Sequence, residues 1–505
     1  MFRLTLSTWA CYFFYLVWVW LTTVVGVARY SLASDPRSGL LAAGGQGGKV
    51  CLFRFRTAEG QGQGGGGSSS SGGDEGNPGE SVRGQLSQRL LEGGEGNGPL
   101  LAFKPHGSTW VSDVAFCGGG ALGSRLLTSA NDGCVALWDL TKASAGRAAG
   151  GQPKALGGGK CAWHGAGIFS LACRGAGGTG GGFGGGECGG GGCVVATGSK
   201  DGSIALGTLG EGGDLPTRIS LTELDLGQVK GVGLRPFFTG GFGDFGSGGD
   251  GGGGGGGGLE RAVAAAACGS GDAVILDGRD PRRGQGLATL RGAHVAAGGG
   301  GGCTSVEWHP LRPHELLTAG LDAPVLRLWD VRMASSGGGG GGGGESGSGC
   351  GRRAPLREYR GHVPSSAGGK RLKAISRPRF LAPACFPLSA SSWSSSASSS
   401  FSSPCLGASG VSCGGVRIAV QGEHCSKLTL YDAASGTVVS RGALESAATA
   451  IAPACGFAVG PSGLGGPGGC GAVTAGGARG SRGSLPCVAV AYDDGRIALL
   501  VPGDA

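Results

Sequence analysis

Apolar and polar residues alternate along short runs of this chain, and turn-forming residues separate the runs. The clearest stretch spans residues 294–332, where the runs TSVEW, ELLTA and VLRLW are separated by turns that contain proline and aspartate. Alternation with a period of two, broken by Pro, Gly and Asp, is typical of short antiparallel strands. This stretch therefore predicts three strands, the last of which ends at Trp329-Asp330.

The same three-run unit recurs along the chain, which indicates a repeat architecture. Seven units are predicted, at about residues 30–55, 106–140, 164–209, 229–280, 294–332, 362–432 and 448–501. The chain has 118 glycines among 505 residues. Tracts such as residues 251–258, 337–344 and 389–403 are rich in Gly or Ser, cannot bury apolar surface, and are predicted to be disordered insertions. The remaining residues suffice for one large all-β domain.

The N-terminal segment, residues 1–29, has three open interpretations. Residues 9–28 are uncharged and flanked by Arg3 and Arg29, so they are long enough for a membrane anchor or a secretory signal. Their Tyr, Phe, Val, Trp and Thr content is instead that of a β-strand. Because the seventh unit stops after its third run, we expect part of residues 13–25 to supply its closing strand and so cover an exposed sheet edge. A mispredicted translation start is the third possibility.

Three strands that end in Trp-Asp resemble one blade of a WD-repeat β-propeller. The second unit has the family's full set of marks, with His106 near its start, Asp132 in its tight turn, and Trp138-Asp139 at its end. The resemblance implies an all-β fold, a seven-bladed WD-repeat β-propeller with long Gly/Ser-rich disordered insertions. It also implies that the His, turn Asp and Trp of a blade form a buried hydrogen-bonded network, so their role is structural. The positions concerned are His106, His164, His294, His362, Asp132, Asp201, Asp322 and Asp494.

Motifs for catalysis or cofactor binding find no support in the sequence. No phosphate-binding loop, HExxH or GxSxG motif occurs where a strand precedes a helix. Cys161, His164, Cys188 and Cys193 have the spacing of no compact zinc module. We therefore expect no enzyme activity, metal or cofactor. The 18 cysteines lack the compact framework of a secreted disulfide scaffold, which favours reduced thiols and a nuclear or cytoplasmic location. A membrane or secretory location follows instead if residues 9–28 act as anchor or signal.

A candidate docking motif lies at residues 329–332, WDVR, and a related motif, LDGR, lies at residues 276–279. This pairing resembles the WDxR motifs of substrate receptors of cullin-RING ubiquitin ligases, which dock to the damaged-DNA-binding adaptor. The resemblance implies that Asp330, Arg332, Asp277 and Arg279 contact the adaptor, although Leu276 replaces the Trp of the second motif. An Arg held by a carboxylate presents a pre-organised planar fork. The alternative is that Arg332 only solvates the strand end.

Basic residues cluster after the fifth unit, and four of them are candidates for nucleic-acid contact: Lys370, Arg371, Lys373 and Arg377. A solvated loop is the alternative, since the net charge of +8 is only mildly basic for this length. The apolar residues among them predict that the first strand of the sixth unit spans residues 372–380.

The sequence as a whole favours a non-enzymatic protein-interaction scaffold, with substrate recognition in a ubiquitin ligase as its specific role and a monomer within a complex as its state. The alternatives are a chromatin- or nucleic-acid-associated WD-repeat protein and a membrane-tethered or secretory-pathway propeller.

Overall fold

The computed structural model describes the strands and many of their connecting turns. The described residues are 29–35, 40–54, 86–90, 99–117, 125–141, 153–175, 193–209, 215, 219–236, 262–278, 287–294, 302–321, 325–335, 354–362, 377–381, 415–421, 427–444, 448–453, 488–492 and 497–502. Residues 1–28, and with them the predicted anchor, signal or closing strand, lie outside this set.

The described strands form seven antiparallel sheets of four strands each. Sheet 1 contains Arg29–Asp35, Leu40–Gly45, Val50–Arg54 and Leu101–Phe103. Sheet 2 contains Val111–Cys117, Arg125–Ala130, Cys134–Asp139 and Lys154–Ala162. Sheet 3 contains Ile168–Gly175, Cys193–Ser199, Ser203–Leu209 and Ile219–Glu223. Sheet 4 contains Val229–Leu234, Val263–Cys268, Ala273–Asp277 and Ala288–Leu290.

The other three sheets follow the same plan. Sheet 5 contains Gly302–Trp308, Glu315–Leu321, Val325–Asp330 and Arg357–Arg360. Sheet 6 contains Arg379–Leu381, Arg417–Gln421, Lys427–Asp432 and Val438–Ala443. Sheet 7 contains Ala448–Pro453, Val488–Tyr492, Ile497–Pro502 and Leu86–Leu90. A single-turn helix, α1, spans Arg332–Ser335, and a 3-10 turn spans Gln46–Gly48.

Seven hydrophobic clusters join these sheets into a closed ring. Each cluster consists of buried residues from two neighbouring sheets, as where Val50 of sheet 1 packs with Val111 of sheet 2. Equivalent clusters join each later pair, from sheets 2 and 3 through sheets 6 and 7. Leu32 of sheet 1 packs with Ala450 of sheet 7, which closes the circle. Sheets packed radially in this way form a β-propeller. The predicted all-β class and propeller arrangement are confirmed.

The first, innermost strand shows that the sheets are structural repeats. In sheets 1, 2, 3, 4, 5 and 7 the pairing between the first and second strands shifts register within the first four residues of the paired segment. Such a shift marks a β-bulge, which bends the strand and increases its twist. A bulge at one place in successive sheets shows that the same local geometry recurs around the ring.

In sheets 2 and 3, Asp-Gly pairs set the tight turn between the second and third strands. Gly133 and Gly202 have φ values of 77° and 87°, a region that favours glycine. The Oδ1 of Asp132 accepts a hydrogen bond from the N–H of Cys134 at 3.0 Å, as Asp201 does from Ser203 at 2.9 Å. A Cβ on Gly133 would lie 2.4 Å from the carbonyl oxygen of His164. The turn sequence therefore suits both the hairpin and its contact with the next loop.

The outer strand of sheet 7 comes from a different part of the chain than we predicted. Sheets 1–6 use their strands in order along the chain, whereas sheet 7 takes its outer strand from Leu86–Leu90, with Gln88 opposite Leu500. The position that we assigned to residues 13–25 is therefore occupied by a segment of the long connection between the first two units. That connection can reach back because closing a long flexible loop costs little more than closing a short one.

Two further expectations concern the sixth unit and the membrane. The first strand of sheet 6 is Arg379–Leu381, at the end of the predicted span 372–380, and residues 363–376 lie outside the described residues. Within the described part of the chain, no helix combines the length and the apolar character needed to cross a membrane.

Candidate interaction surface

The end of the third strand of sheet 5 is held in place by a buried polar network. The indole Nε1 of Trp329 donates a hydrogen bond to the Oγ1 of Thr318 at 2.9 Å. The same oxygen lies 2.8 Å from the Nε2 of His294. All three side chains are buried, and buried hydrogen bonds of this kind rigidify the elements that they join. The position of the next residue, Asp330, is thereby fixed.

Asp330 and Arg332 form a two-point ion pair just beyond this network. The Oδ1 of Asp330 accepts hydrogen bonds from the backbone N–H and the Nε of Arg332, both at 3.0 Å, and its Oδ2 accepts one from Nη2 at 2.6 Å. The hydrogen bonds from Arg332 lower the pKa of Asp330, and the pKa of Arg332 is raised in return. The Arg332 side chain is 56% exposed, against 12% for Asp330. The carboxylate thus orients a guanidinium that faces solvent.

The aspartates at the equivalent position of other sheets show which hydrogen bonds of Asp330 are common to the repeats. Asp139 of sheet 2 accepts a hydrogen bond from the N–H of Thr141 at 2.8 Å, and Asp432 of sheet 6 accepts one from the N–H of Ser435 at 2.6 Å. Closing the turn after the third strand is therefore a shared structural role. The aspartate of sheet 5 does more than this, because it also holds an exposed guanidinium.

Exposed apolar side chains lie on the segments around this ion pair. Met333, Leu287 and Leu356 are each more than half exposed. Met333 belongs to helix α1, which contacts the outer strand of sheet 4 that Leu287 precedes. Leu356 precedes Arg357, which pairs with Leu328 next to the buried Trp329. We name Leu287, Asp330, Arg332, Met333 and Leu356 the Arg332 surface. A guanidinium among exposed apolar side chains is a composition typical of interaction hot spots.

The second docking motif is only partly described. Asp277 ends the third strand of sheet 4 opposite Val263, the same register position that Asp330 holds opposite Glu315. The two aspartates therefore lie at the same end of neighbouring sheets. Arg279 lies outside the described residues, so its proposed contact with an adaptor stays a prediction.

The predicted nucleic-acid residues are also mostly undescribed. Lys370, Arg371 and Lys373 lie outside the described residues, and Arg377 is partly buried just before the first strand of sheet 6. Its neighbour Arg379 lies 3.6 Å from Glu307 of sheet 5. Binding of nucleic acid by this cluster accordingly stays a prediction.

The histidines predicted to be structural do form buried networks. The Nε2 of His106 lies 2.9 Å from the Oγ1 of Thr128, which also accepts a hydrogen bond from Trp138. In sheet 3 the ring of His164 contacts two hydroxyl groups, on Thr197 and Ser203, each at 2.7 Å. Burial lowers the pKa of His106 to about 4 and lowers that of His164. Both rings are therefore neutral hydrogen-bonding groups in the folded protein.

The turn aspartates are close to these rings. Asp132 lies 3.8 Å from the Nδ1 of His106, and Asp201 lies 3.7 Å from the Nδ1 of His164. Asp322 and Asp494 lie outside the described residues. The sequence interpretation did not include the threonine at the centre of each network, because a Thr inside an apolar strand carries no distinctive signal.

The sequence analysis did not single out two charged residues that connect neighbouring sheets, Glu307 and Arg174. Glu307 accepts a hydrogen bond from the backbone N–H of Phe380 at 3.1 Å and so connects the first strands of sheets 5 and 6. Arg174 of sheet 3 donates to the carbonyl of Leu234 in sheet 4 at 3.1 Å, and burial lowers its pKa to about 10. Burial raises the pKa of Glu307 despite the nearby Arg379. The only signal for these residues was a charge inside a short apolar run.

In the part of the chain that the structure describes, no three His, Cys, Asp or Glu side chains are arranged to hold a metal ion. Of the zinc set considered above, Cys188 lies outside that part, and His164 is hydrogen-bonded to Thr197 and Ser203. Cys193 instead packs with Cys117 of sheet 2.

A ring of four-stranded antiparallel sheets, packed face to face and closed on itself, places the chain among the β-propellers. Residues 97–139 match the family model described as WD domain, G-beta repeat. The match covers His106, the first three strands of sheet 2 and Trp138-Asp139. Residues 97–139 therefore form a WD repeat, and the ring of sheets around them supports a WD-repeat β-propeller. None of the curated proteins compared with it matches.

Proposed function

We propose that the seven sheets serve as the seven blades of a non-enzymatic scaffold that presents the Arg332 surface to a partner protein. WD-repeat propellers mostly bind other proteins, so this function agrees with the fold. The partner we propose is the damaged-DNA-binding adaptor of cullin-RING ubiquitin ligases, which would make the protein a substrate receptor.

The Asp330–Arg332 ion pair carries this proposal. The hydrogen bonds from Nε at 3.0 Å and Nη2 at 2.6 Å hold the guanidinium in one orientation before any partner arrives. Less side-chain entropy is then lost on binding. Exposed Met333, Leu287 and Leu356 supply apolar area around the charge. An exposed ion pair adds little to folding stability, so a role in binding accounts better for its combination with apolar neighbours.

Affinity purification of the full-length protein tests the proposal. Arg332→Ala should reduce recovery of the adaptor at least about tenfold, the loss of about 1.4 kcal/mol that a modest hot spot contributes. Arg332→Lys should also reduce recovery, because an ammonium group cannot reproduce the planar fork. The double variant Arg332→Ala, Arg279→Ala should remove the remaining binding.

Arg360→Ala is the matched control. Arg360 also lies in sheet 5, is exposed, and forms an ion pair at 2.5 Å with Glu358. Its removal should leave adaptor recovery unchanged, which would separate loss of one surface from a general loss of positive charge. Equal recovery of the adaptor with the wild type and with the double variant would rule out this partner.

A further inference from the structure

Three cysteines from two sheets converge in one packed cluster. Cys117 ends the first strand of sheet 2, opposite Arg125. In sheet 3, Cys173 pairs with Val195, and Cys193 lies two residues before Val195 on the same strand. Side chains two residues apart on a strand point to the same face. Cys173 and Cys193 are therefore diagonal neighbours on one face of sheet 3.

That face of sheet 3 packs against sheet 2. Cys117 and Cys193 are buried members of the hydrophobic cluster between the two sheets, and Cys173 is partly exposed and packs against it. The three thiols lie close enough for each to shift the pKa of the other two. The cluster thus reaches the protein surface at Cys173 while holding three sulfur atoms together.

The surroundings of the three thiols favour a negative charge on one of them. The S–H groups of Cys117 and Cys173 stabilise the thiolate of Cys193 and lower its pKa, and Arg125 acts in the same direction. The pKa values of Cys117 and Cys173 are raised in turn. A thiolate is the reactive form of cysteine, and neighbouring cationic groups promote it. Cys193 consequently has the largest thiolate fraction of the three.

We propose that Cys117, Cys173 and Cys193 form a peroxide-reactive thiol site in which Cys193 is oxidised first. The Cys193 sulfur attacks one oxygen of hydrogen peroxide, the O–O bond breaks, and the products are a sulfenic acid and hydroxide. The thiol of Cys117 or Cys173 then attacks the Cys193 sulfur, a disulfide forms, and water leaves with the thiol proton. In total, two thiols are oxidised by two electrons and one peroxide is reduced to two waters.

Two other buried cysteines provide an internal comparison. Cys268 and Cys303 are both fully buried at the junction of sheets 4 and 5. Burial raises the pKa of Cys268 to about 12 and that of Cys303 still further. Neither has a partner that stabilises its thiolate as Cys117 and Cys173 do for Cys193, so both should resist peroxide.

The test follows oxidation of the full-length wild-type protein by hydrogen peroxide. At intervals the sulfenic acid is trapped with dimedone, the remaining thiols are alkylated, and peptides are identified by mass spectrometry. We expect Cys193 to be oxidised at least about tenfold faster than Cys268, because the reaction follows the thiolate fraction. The disulfide should join Cys193 to Cys117, which links sheets 2 and 3, or to Cys173, which stays within sheet 3.

Variants assign the roles of the three cysteines. Cys193→Ser should abolish disulfide formation in the cluster, whereas the double variant Cys117→Ser, Cys173→Ser should accumulate dimedone-labelled Cys193. The proposal is overturned if Cys193 reacts no faster than Cys268, or if its disulfide partner is Cys188. It is also overturned if the Cys193→Ser variant forms a Cys117–Cys173 bond as fast as the wild type forms a disulfide in the cluster. The wild-type time course gives a decisive result even if a variant fails to fold.

Discussion

The Oδ2 atom of Asp113, in sheet 2, accepts a hydrogen bond from the backbone N–H of Leu171, in sheet 3, at 2.9 Å. The other carboxylate oxygen accepts one from the hydroxyl of Ser31, in sheet 1, at 2.5 Å. The Ser31 hydroxyl oxygen in turn accepts a hydrogen bond from the N–H of Val114 at 2.9 Å. One carboxylate on an inner strand therefore connects three consecutive sheets and satisfies a backbone donor of the next sheet.

Asp113→Ala should destabilise the propeller by about 2–4 kcal/mol, because it leaves the Leu171 N–H and the Ser31 hydroxyl without their acceptor. Asp113→Asn keeps one acceptor oxygen in place and should cost about half as much. Urea unfolding followed by circular dichroism measures both values. If the alanine and asparagine variants unfold at the same urea concentration as the wild type, the three-sheet connection contributes nothing to stability.

The second prediction concerns the stability contributed by Thr318, the threonine at the centre of the sheet 5 network. Thr318 accepts the Trp329 hydrogen bond and contacts His294, and both partners are buried. Thr318→Val should lower the free energy of unfolding by about 1–3 kcal/mol, because it leaves the indole donor buried without a partner. Thr304→Val is the control, since the Thr304 hydroxyl is buried but donates to a single carbonyl, that of Ala319 at 3.2 Å. Equal losses in the two variants would contradict a special role for the network.

Sheet 6 shows how the chain manages without that threonine. Val420 pairs with Thr429 just as Thr318 pairs with Arg327, so it occupies the equivalent position. There the Oη of Tyr431 lies 3.3 Å from the Nδ1 of His362, and the Nε2 of that ring has no hydrogen-bond partner in the structure. Tyr431 also donates to the carbonyl of Arg360 at 2.8 Å. The tyrosine hydroxyl thus contacts the histidine ring of sheet 6, a contact that the threonine hydroxyl makes in sheet 5.

The fold could be predicted from the sequence where local pattern decides the structure. Alternation of apolar residues and the Trp329-Asp330 ending identified the third strand of sheet 5, and Asp132 identified a turn. Leu86–Leu90 could not be identified, because its short sequence LSQRL has a polar centre and lies between glycine-rich tracts. An outer strand is held mainly by backbone hydrogen bonds, which leave little trace in side-chain pattern.

The two candidate sites also differ in how far the sequence could predict them. Asp330 and Arg332 are two residues apart at a strand end, so their ion pair follows from local geometry that the sequence contains. Cys117 and Cys193 lie on different sheets and meet only because sheet 2 packs on sheet 3. Contacts of that kind depend on which sheets become neighbours, information that no local window of the sequence carries.

Buried histidines predict how stability depends on pH. Burial lowers the pKa of His294 from its ordinary value of 6.5 to about 3, and that of His106 to about 4. Below pH 6.5 the unfolded chain therefore binds protons that the folded chain does not. Stability is then full above pH 6.5 and falls as the pH drops toward the folded pKa, by at most about 1.4 kcal/mol per pH unit for each histidine.

Urea unfolding between about pH 7.5 and about pH 5 measures this slope. His294→Gln should make the slope shallower, because glutamine does not titrate but keeps a side-chain amide that can form hydrogen bonds. A slope that is identical in the variant and the wild type would show that His294 is not the titrating group.

The last prediction concerns the stability contributed by the outer strand of sheet 7. Leu86–Leu90 pairs antiparallel with the third strand of that sheet, with Ser87 opposite Val501 and Gln88 opposite Leu500. Along a paired edge strand, alternate N–H groups point toward the neighbour, so one of two consecutive residues donates to it. The double substitution Ser87→Pro, Gln88→Pro must remove that donor, because proline has no N–H. We expect it to lower the free energy of unfolding by about 1–3 kcal/mol.

A second pair of prolines separates loss of this strand from an effect on the unfolded chain. The control is the double substitution Gln61→Pro, Gly62→Pro, which lies in the same connection but outside the described residues. Hydrogen exchange read by mass spectrometry should show faster exchange in Ile497–Pro502 only in the strand variant, because only there does the third strand lose its cover. Unchanged protection would mean that Leu86–Leu90 does not cover this edge in solution, and the search for the closing strand would return to residues 13–25.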